Sequence, residues 1–403
     1  MNRLASVGAR APEILLPQGV DESKWACIAC DQYTSQPEVW EETDRLVGGA
    51  PSTLRIVLPE VYLSEAAQRV PRIHETMRAY ARDVLTRSVH GLVLTERRTE
   101  SGPRRGLLLA VDLEEYDYLP GSTSRVRATE GTILSRIPAR TQVRRGALLE
   151  CPHVMLLVND PGQTLIEPLY ERVHGRAPLY DVDLLQGMGH LTGWAVTAPE
   201  EIDAAAGALL ALDASRGEAP LFAVGDGNHS LAAARAYWLE RKASLSPEAA
   251  ETDPARWALC EVVNLHDPAL RFAPIHRVLT NLAPADLEAL DAALARAASG
   301  DRDEVRLVSP AGERAYPGLP VPVLQPLLDA FLAAHPDAAL DYVHGDDAAQ
   351  TLGRRAGAAA LLLPPPDKFA LFPAIAKGPL PRKAFSMGEA HEKRCYFECR
   401  RIL

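Results

Sequence analysis

Apolar positions recur along the chain with two periods, which predicts strands mixed with helices rather than one repeating unit. Val70, Ile73, Met77, Ala81 and Val84 return every three or four residues, so a helix is expected over Pro59–Val89, with Pro71 near its start. Leu92–Arg97 and Gly106–Leu113 flank the turn residues Ser101, Gly102 and Pro103 and predict a hairpin. Further strands are expected at Trp25–Ala29, His153–Val158, Thr164–Pro168, Pro220–Val224 and Trp257–Asn264. A second hairpin joins 177–183 to 190–196, and a third spans Val305–Tyr316. Helices are expected after the polar run Asp31–Glu38 and over Pro199–Ser215, Ala285–Ala298 and Val321–Ala334. The irregular order of these elements predicts an α+β (mixed α/β) fold rather than a regular βαβ series.

Composition narrows the function classes. The 43 basic and 53 acidic residues leave a net charge of −10, which argues against a general nucleic-acid or anionic-membrane surface. The 32 prolines exclude one long helical bundle. No apolar run reaches the roughly 20 residues of a membrane span, and residues 1–20 lack a signal-peptide core. A cytoplasmic protein with reduced thiols is expected. Cys27, Cys30, Cys395 and Cys399 have spacings that would permit a four-thiolate zinc site. On a strand, however, Cys395, Phe397 and Cys399 share one face as small apolar residues, so zinc is not expected.

The sharpest local signal runs from Pro220 to Lys242. A short apolar strand leads into Gly225-Asp226-Gly227, then Asn228-His229-Ser230, then a helix with Leu231, Ala234 and Trp238 on its inner face. Two glycines permit a tight turn with positive φ, and Asn228 or Ser230 can cap the helix. The helix N-terminus offers free N–H groups and a favourable dipole to an anion. Asp226 can hold Mg²⁺ or orient a hydroxyl, and His229 can bind phosphate or transfer a proton. The plainer reading is ordinary turn chemistry with a surface histidine.

The run GDGNHSLAAA resembles the turn of the ParB/sulfiredoxin-like fold, whose members include partition CTPases, sulfiredoxin and the free-serine kinase. Ser230 stands where those proteins usually place an arginine. The whole chain is similar to the bacterial family called domain of unknown function 1015. The runs that carry this likeness are Ile28–Trp40, Val126–Arg140, Pro152–Asp160, Phe272–Leu279 and Lys377–Arg394. The resemblances imply a phosphate-binding core with additional mixed-sheet elements, organised as an N-terminal segment (1–90), a central core (91–300), a variable insertion (301–366) and a closing C-terminal segment (367–403).

Other polar runs supply candidate partners. Arg127, Thr129 and Glu130 lie between apolar strands, where clustered polar groups point to a cleft. Glu130 is the candidate base for a substrate hydroxyl, the alternative being a salt bridge to Arg127. Three of the six lysines fall between 377 and 393. Arg382, Lys383 and Ser386 are expected to face phosphate, and Lys393 to be solvated. His276 and Arg277 are candidates for the same pocket, and Asp31 for substrate, metal or a helix cap. No P-loop, H-E-x-x-H or G-x-S-x-G occurs.

Together these features predict a nucleotide-dependent kinase acting on a small hydroxylated metabolite. By the resemblance, the acceptor is an amino acid or hydroxy acid. The nucleotide would be a triphosphate or diphosphate, with Mg²⁺ at Asp226, and Arg127, Arg382 and Lys383 would stabilise phosphate charge. The alternatives are a nucleotide-binding regulatory switch and a metal-dependent hydrolase using Asp31, Asp226, His229 and His276. The partner expected in each enzymatic reading is a small molecule, with neither nucleic acid nor membrane.

Overall fold

The computed structural model describes residues 3–34, 36–300 and 302–403, so Ser35 of the polar run before the first long helix lies outside the described residues. The chain divides into two units. The first comprises Met1–Arg271, Phe369–Pro379 and Gly388–Leu403, and the second Phe272–Lys368 and Leu380–Met387.

The first unit is built on a ten-stranded mixed sheet. Its strands run in the order Tyr180–Asp183, His190–Val196, Leu92–Thr99, Gly102–Asp112, Trp257–Asn264, Met155–Val158, Phe222–Asp226, Val126–Ala128 and Tyr116–Asp117. The short strand Ala9–Arg10 also pairs with Gly102–Asp112. Neighbours are antiparallel except at three places. Met155–Val158 runs parallel to Trp257–Asn264, and Val126–Ala128 runs parallel to both Phe222–Asp226 and Tyr116–Asp117.

Alternate residues of the sheet feed two cores. Leu92, Leu94, Leu107, Leu109, Leu156 and Phe222 face one core. That core is closed by residues of the helices Ile166–Val173, Pro199–Ser215 and Asn228–Lys242. Val93, Leu108 and Leu259 face the other, with residues of the helix Ala66–Asp83 and with Trp25, Cys395, Phe397 and Cys399. Full burial of each such aliphatic side chain contributes about 1.5–3 kcal/mol, which explains why strands covered on both faces read as nearly continuous apolar runs.

Several local expectations are corrected. Thr164–Pro168 is not a strand. The Asp160 carboxylate accepts from the N–H groups of Thr164 and Leu165, and the chain turns into the helix Ile166–Val173. The helix expected over 59–89 is limited to Ala66–Asp83, with Pro71 inside it. A 3-10 segment precedes it and the strand Arg87–His90 follows. Trp25 ends a short helix, and the strand there is only Cys27–Ile28. Cys395–Tyr396 pairs with that strand, which uses the cysteines as buried apolar residues.

The second unit holds a five-stranded antiparallel sheet ordered Gly312–Tyr316, Val305–Ser309, Ala359–Leu362, Ile275–Thr280 and Ala339–His344. Helices Pro284–Ala297 and Val321–Ala334 supply residues to the core on one face, and Ala349 of the helix Asp346–Gly353 packs on the other. Among the described residues, no helix is long and apolar enough to cross a membrane.

Candidate functional site

The strand Phe222–Asp226 ends in an irregularity that shapes the turn. Met155 pairs with Asp226 and Leu156 with Val224, which leaves Gly225 as the extra residue of a β-bulge. Gly227 follows with φ 82° and is itself the N-cap of the helix Asn228–Lys242. A Cβ there would lie 3.1 Å from Val154 Cα and 3.2 Å from His153 Cδ2, so conformation and space both require glycine. The expected cap by Asn228 or Ser230 is not made, because both lie inside the helix, whose N-cap is Gly227, and no side chain caps it. Its first N–H groups keep no intrahelical partner, as at any helix start.

The run that follows Val126–Ala128 packs beside this turn. Thr129 donates its hydroxyl to the carbonyl of Val224 (2.7 Å) and lies 3.5 Å from Asn228 Nδ2. The structure therefore brings together Thr129, Gly225, Asp226, Gly227, Asn228, His229 and Ser230, with Glu130 adjacent in sequence to Thr129. Asn228 Oδ1 and Thr132 Oγ1 are buried without a hydrogen-bond partner among the described residues. Arg127 is oriented differently. Its guanidinium donates to the carbonyls of Ser124 (2.9 Å) and Glu218 (2.7 Å), which ties the two parallel strands at their entry.

His229 Nε2 accepts from the Ile133 N–H at 3.2 Å, which assigns the ring proton to Nδ1. Burial, with the nearby cations Arg140 and Arg136, pulls the His229 pKa down to about 4. The ring is therefore neutral at physiological pH and acts there as a hydrogen-bond donor rather than as a cation. Arg140 is ion-paired with Glu60, and Arg136 is exposed.

Behind the turn lies a cavity of about 160 Å³. Its polar lining includes Asp31, His153 and Ser230, and its apolar lining includes Met77, Leu149 and Leu259. His153 is 6% exposed. Its Nε2 lies 2.9 Å from Ser230 Oγ, and its Nδ1 lies 2.7 Å from the Tyr396 hydroxyl. Asp31 Oδ2 is 3.8 Å from Nε2. Asp31 does not cap the next helix, whose N-cap is Gln36. The sequence does not single out His153 or Tyr396. The apolar run around His153 reads as plain strand, and Tyr396 is 243 positions away in the chain.

The C-terminal segment supplies the nearest cation, and here an expectation is overturned. Lys393 is not solvated. It is 8% exposed, and its ammonium is 3.6 Å from Asp226 Oδ2. The other Asp226 oxygen accepts from the Gly227 N–H. Next to it, Arg394 is buried between Glu261 (2.8 Å) and Glu398 and donates to the Pro152 carbonyl (2.8 Å). Burial alone would raise the Glu261 pKa, but Arg394 and Arg104 bring it below the ordinary carboxylate value. Among the described residues, no group of three or more His, Cys, Asp or Glu is arranged to hold a metal ion.

The remaining predicted residues belong to the second unit. His276 is 0% exposed, with Nε2 3.0 Å from Asp346 and Nδ1 accepting from the Leu363 N–H. Arg277 is buried beneath Tyr342, reaches Gln325 Oε1 at 3.2 Å and donates to the Lys383 carbonyl. The plain alternative of a loop histidine with a surface arginine is thus replaced by a buried strand pair. Ser386 is buried in the two-residue strand that pairs with Phe272–Ala273. Arg382 and Lys383 are exposed, Lys383 with φ 57°.

The family model described as protein of unknown function (DUF1015) matches residues 16–343. A search of curated protein sequences finds no match. Among solved structures, a free serine kinase variant in complex with ADP is 10% identical, with a TM-score of 0.40, over 72% of this chain and 91% of that one. SbnI with a C-terminal truncation, from Staphylococcus aureus, is 10% identical with a TM-score of 0.38, over 72% and 85%. A conserved hypothetical protein from Pyrococcus furiosus is 10% identical with a TM-score of 0.36, over 72% and 90%. The family match takes in most of the length, from before the first long helix into the strand Ala339–His344 of the second unit's sheet, and the chain belongs to the DUF1015 family.

Proposed function

We propose that the first unit binds a nucleoside di- or triphosphate at Gly225–Ser230 and transfers a phosphoryl group to a small hydroxylated acceptor, an amino acid or hydroxy acid. One observation carries this reading: the helix Asn228–Lys242 has a glycine N-cap and no side-chain cap, follows a bulged strand, and has the Asp226–Lys393 pair at its start. First-turn N–H groups and the helix dipole favour phosphate oxygens, and the glycine at 227 lets the backbone approach them. Lys393, held by Asp226, neutralises phosphate charge as a point cation. Thr129 and Asn228 orient the phosphates, the neutral His229 donates from Nδ1, and Arg136 adds positive potential.

Glu130 takes the acceptor's proton as the new bond forms. Magnesium usually binds nucleotide phosphates through one or two carboxylates and water. Asp226 fits as a single protein ligand of that kind, while its contact with Lys393 makes ammonium the competing partner. When bound, magnesium would neutralise charge on the phosphates.

Thermal shifts with ATP, ADP and CTP, with and without Mg²⁺, test the binding half. Stabilisation by at least one of them is expected, and none by any of them removes the reading. Glu130→Gln is expected to keep nucleotide binding and lose about 100-fold or more in turnover with a hydroxy-acid and amino-acid panel. Unchanged turnover would remove Glu130 from its role.

A further inference from the structure

We propose that Ser230 is an activated nucleophile that carries the phosphoryl group between donor and acceptor, so that the enzyme passes through a phosphoserine at the start of the helix. This rests on the phosphotransfer reading above but goes beyond it, since that reading needs only binding from Ser230. The geometry comes from four residues far apart in sequence. Ser230 Oγ is 2.9 Å from His153 Nε2, and His153 Nδ1 is 2.7 Å from the Tyr396 oxygen. Tyr396 in turn accepts the Cys30 N–H at 3.0 Å, and its hydroxyl also hydrogen-bonds the Cys30 side chain.

That chain orients the imidazole. With the ring proton on Nδ1 and given to the Tyr396 oxygen, Nε2 presents its lone pair to the Ser230 hydroxyl. This is the nucleophile, base and orienting group of covalent catalysis. Asp31, with Oδ2 3.8 Å from Nε2, stabilises the imidazolium once the proton has moved.

Two features make the product of that step stable. Ser230 is the third residue of the helix Asn228–Lys242, where phosphate charge meets the positive end of the dipole and unpaired N–H groups. The cavity lined by Ser230 and His153 gives the acceptor a place beside the same oxygen. Its volume of about 160 Å³ is close to that of a cavity that holds one benzene-sized molecule. The acceptor class is therefore a short-chain hydroxylated molecule with an apolar body.

In the first step Ser230 Oγ bonds to the terminal phosphorus and its proton passes to His153 Nε2. With a nucleoside triphosphate as donor, the bond from that phosphorus to the bridging oxygen breaks, and the nucleoside diphosphate leaves with the electron pair. In the second step the acceptor oxygen bonds to phosphorus while Glu130 takes its proton. The Ser230 Oγ–P bond then breaks, and Ser230 recovers its proton from His153. The net products are phosphorylated acceptor, nucleoside diphosphate and one proton.

The full chain is incubated without acceptor, in one arm with ATP and magnesium and in another with acetyl phosphate. Intact and peptide mass spectrometry then follow. One phosphoryl group is expected on Ser230, stable to acid, absent in Ser230→Ala and formed about 100-fold more slowly in His153→Gln. Thermal unfolding confirms that each variant is folded, and Ser230→Thr, which keeps a hydroxyl, is expected to retain labelling. If ATP binds but neither donor labels Ser230, this inference is overturned while the binding reading stands. An acid-labile group on His153 or His229 overturns it equally. If no nucleotide binds yet acetyl phosphate labels Ser230, the nucleophile stands and the nucleotide reading fails.

Discussion

The turn at 224–230 and the C-terminal segment at 391–401 meet at one place but are held by opposite means. The turn is made locally. A bulge at Gly225, a positive φ at Gly227 and an uncapped helix start all arise within seven consecutive residues. The C-terminal segment has little local structure, two short strands and a 3-10 turn, and is anchored by distant partners. Arg394 reaches Glu261, Arg400 reaches Glu150 at 2.7 Å, and Phe397 accepts the indole N–H of Trp25 at 2.7 Å. A charged run in an acidic protein reads as solvent-facing. Here Glu392, Lys393, Arg394, Glu398 and Arg400 are buried, and burial is tolerated because each has a hydrogen-bond or ionic partner.

The largest expected effect comes from breaking the long-range anchor. Arg394→Met strands Glu261 and Glu398 in the core and is expected to cost about 3–5 kcal/mol in urea unfolding. A cost near that of a surface pair would show the segment is held by packing alone. Gly227→Ala attacks the local device instead. It forces a Cβ into the left-handed region against Val154, costs about 1–3 kcal/mol and abolishes the nucleotide-induced thermal shift.

Lys393→Met probes where the two regions meet. Nucleotide affinity measured by titration calorimetry is expected to fall about 10-fold, or ~1.4 kcal/mol. Unaltered affinity would leave Lys393 a purely structural partner of Asp226. The last effect is confined to acid pH and comes from His229. Its folded pKa of about 4 is below the ordinary 6.5, so folding favours the neutral ring. Stability from this group is full above 6.5 and is lost as pH falls toward 4. His229→Asn should flatten that part of the stability profile measured by thermal unfolding. An unchanged profile would mean the ring is not buried as a neutral group.

The strand–turn–helix at 220–242 was legible because each signal is short-range: an apolar strand, glycines where the chain turns, and small residues along the buried helix face. The helix cap lies one to three residues earlier than Asn228 or Ser230 would place it, because a left-handed glycine caps the helix with no side chain to mark it. Thr164–Pro168 failed as a strand for a related reason, since one carboxylate at Asp160 redirected the backbone. His153 and Tyr396 were not legible at all, because nothing in their own neighbourhoods marks them as partners of Ser230.

By itself the sequence determined the alternation of apolar residues, the hairpins at 92–112 and 305–316, and a backbone turn with free N–H groups. These depend on side-chain period and backbone sterics, which act over a few residues. Tertiary structure alone decided which charges are buried, that Lys393 stands beside Asp226, and that His153 closes on Ser230. Those outcomes depend on desolvation and pairing between groups brought together only when the sheet and the C-terminal segment have assembled.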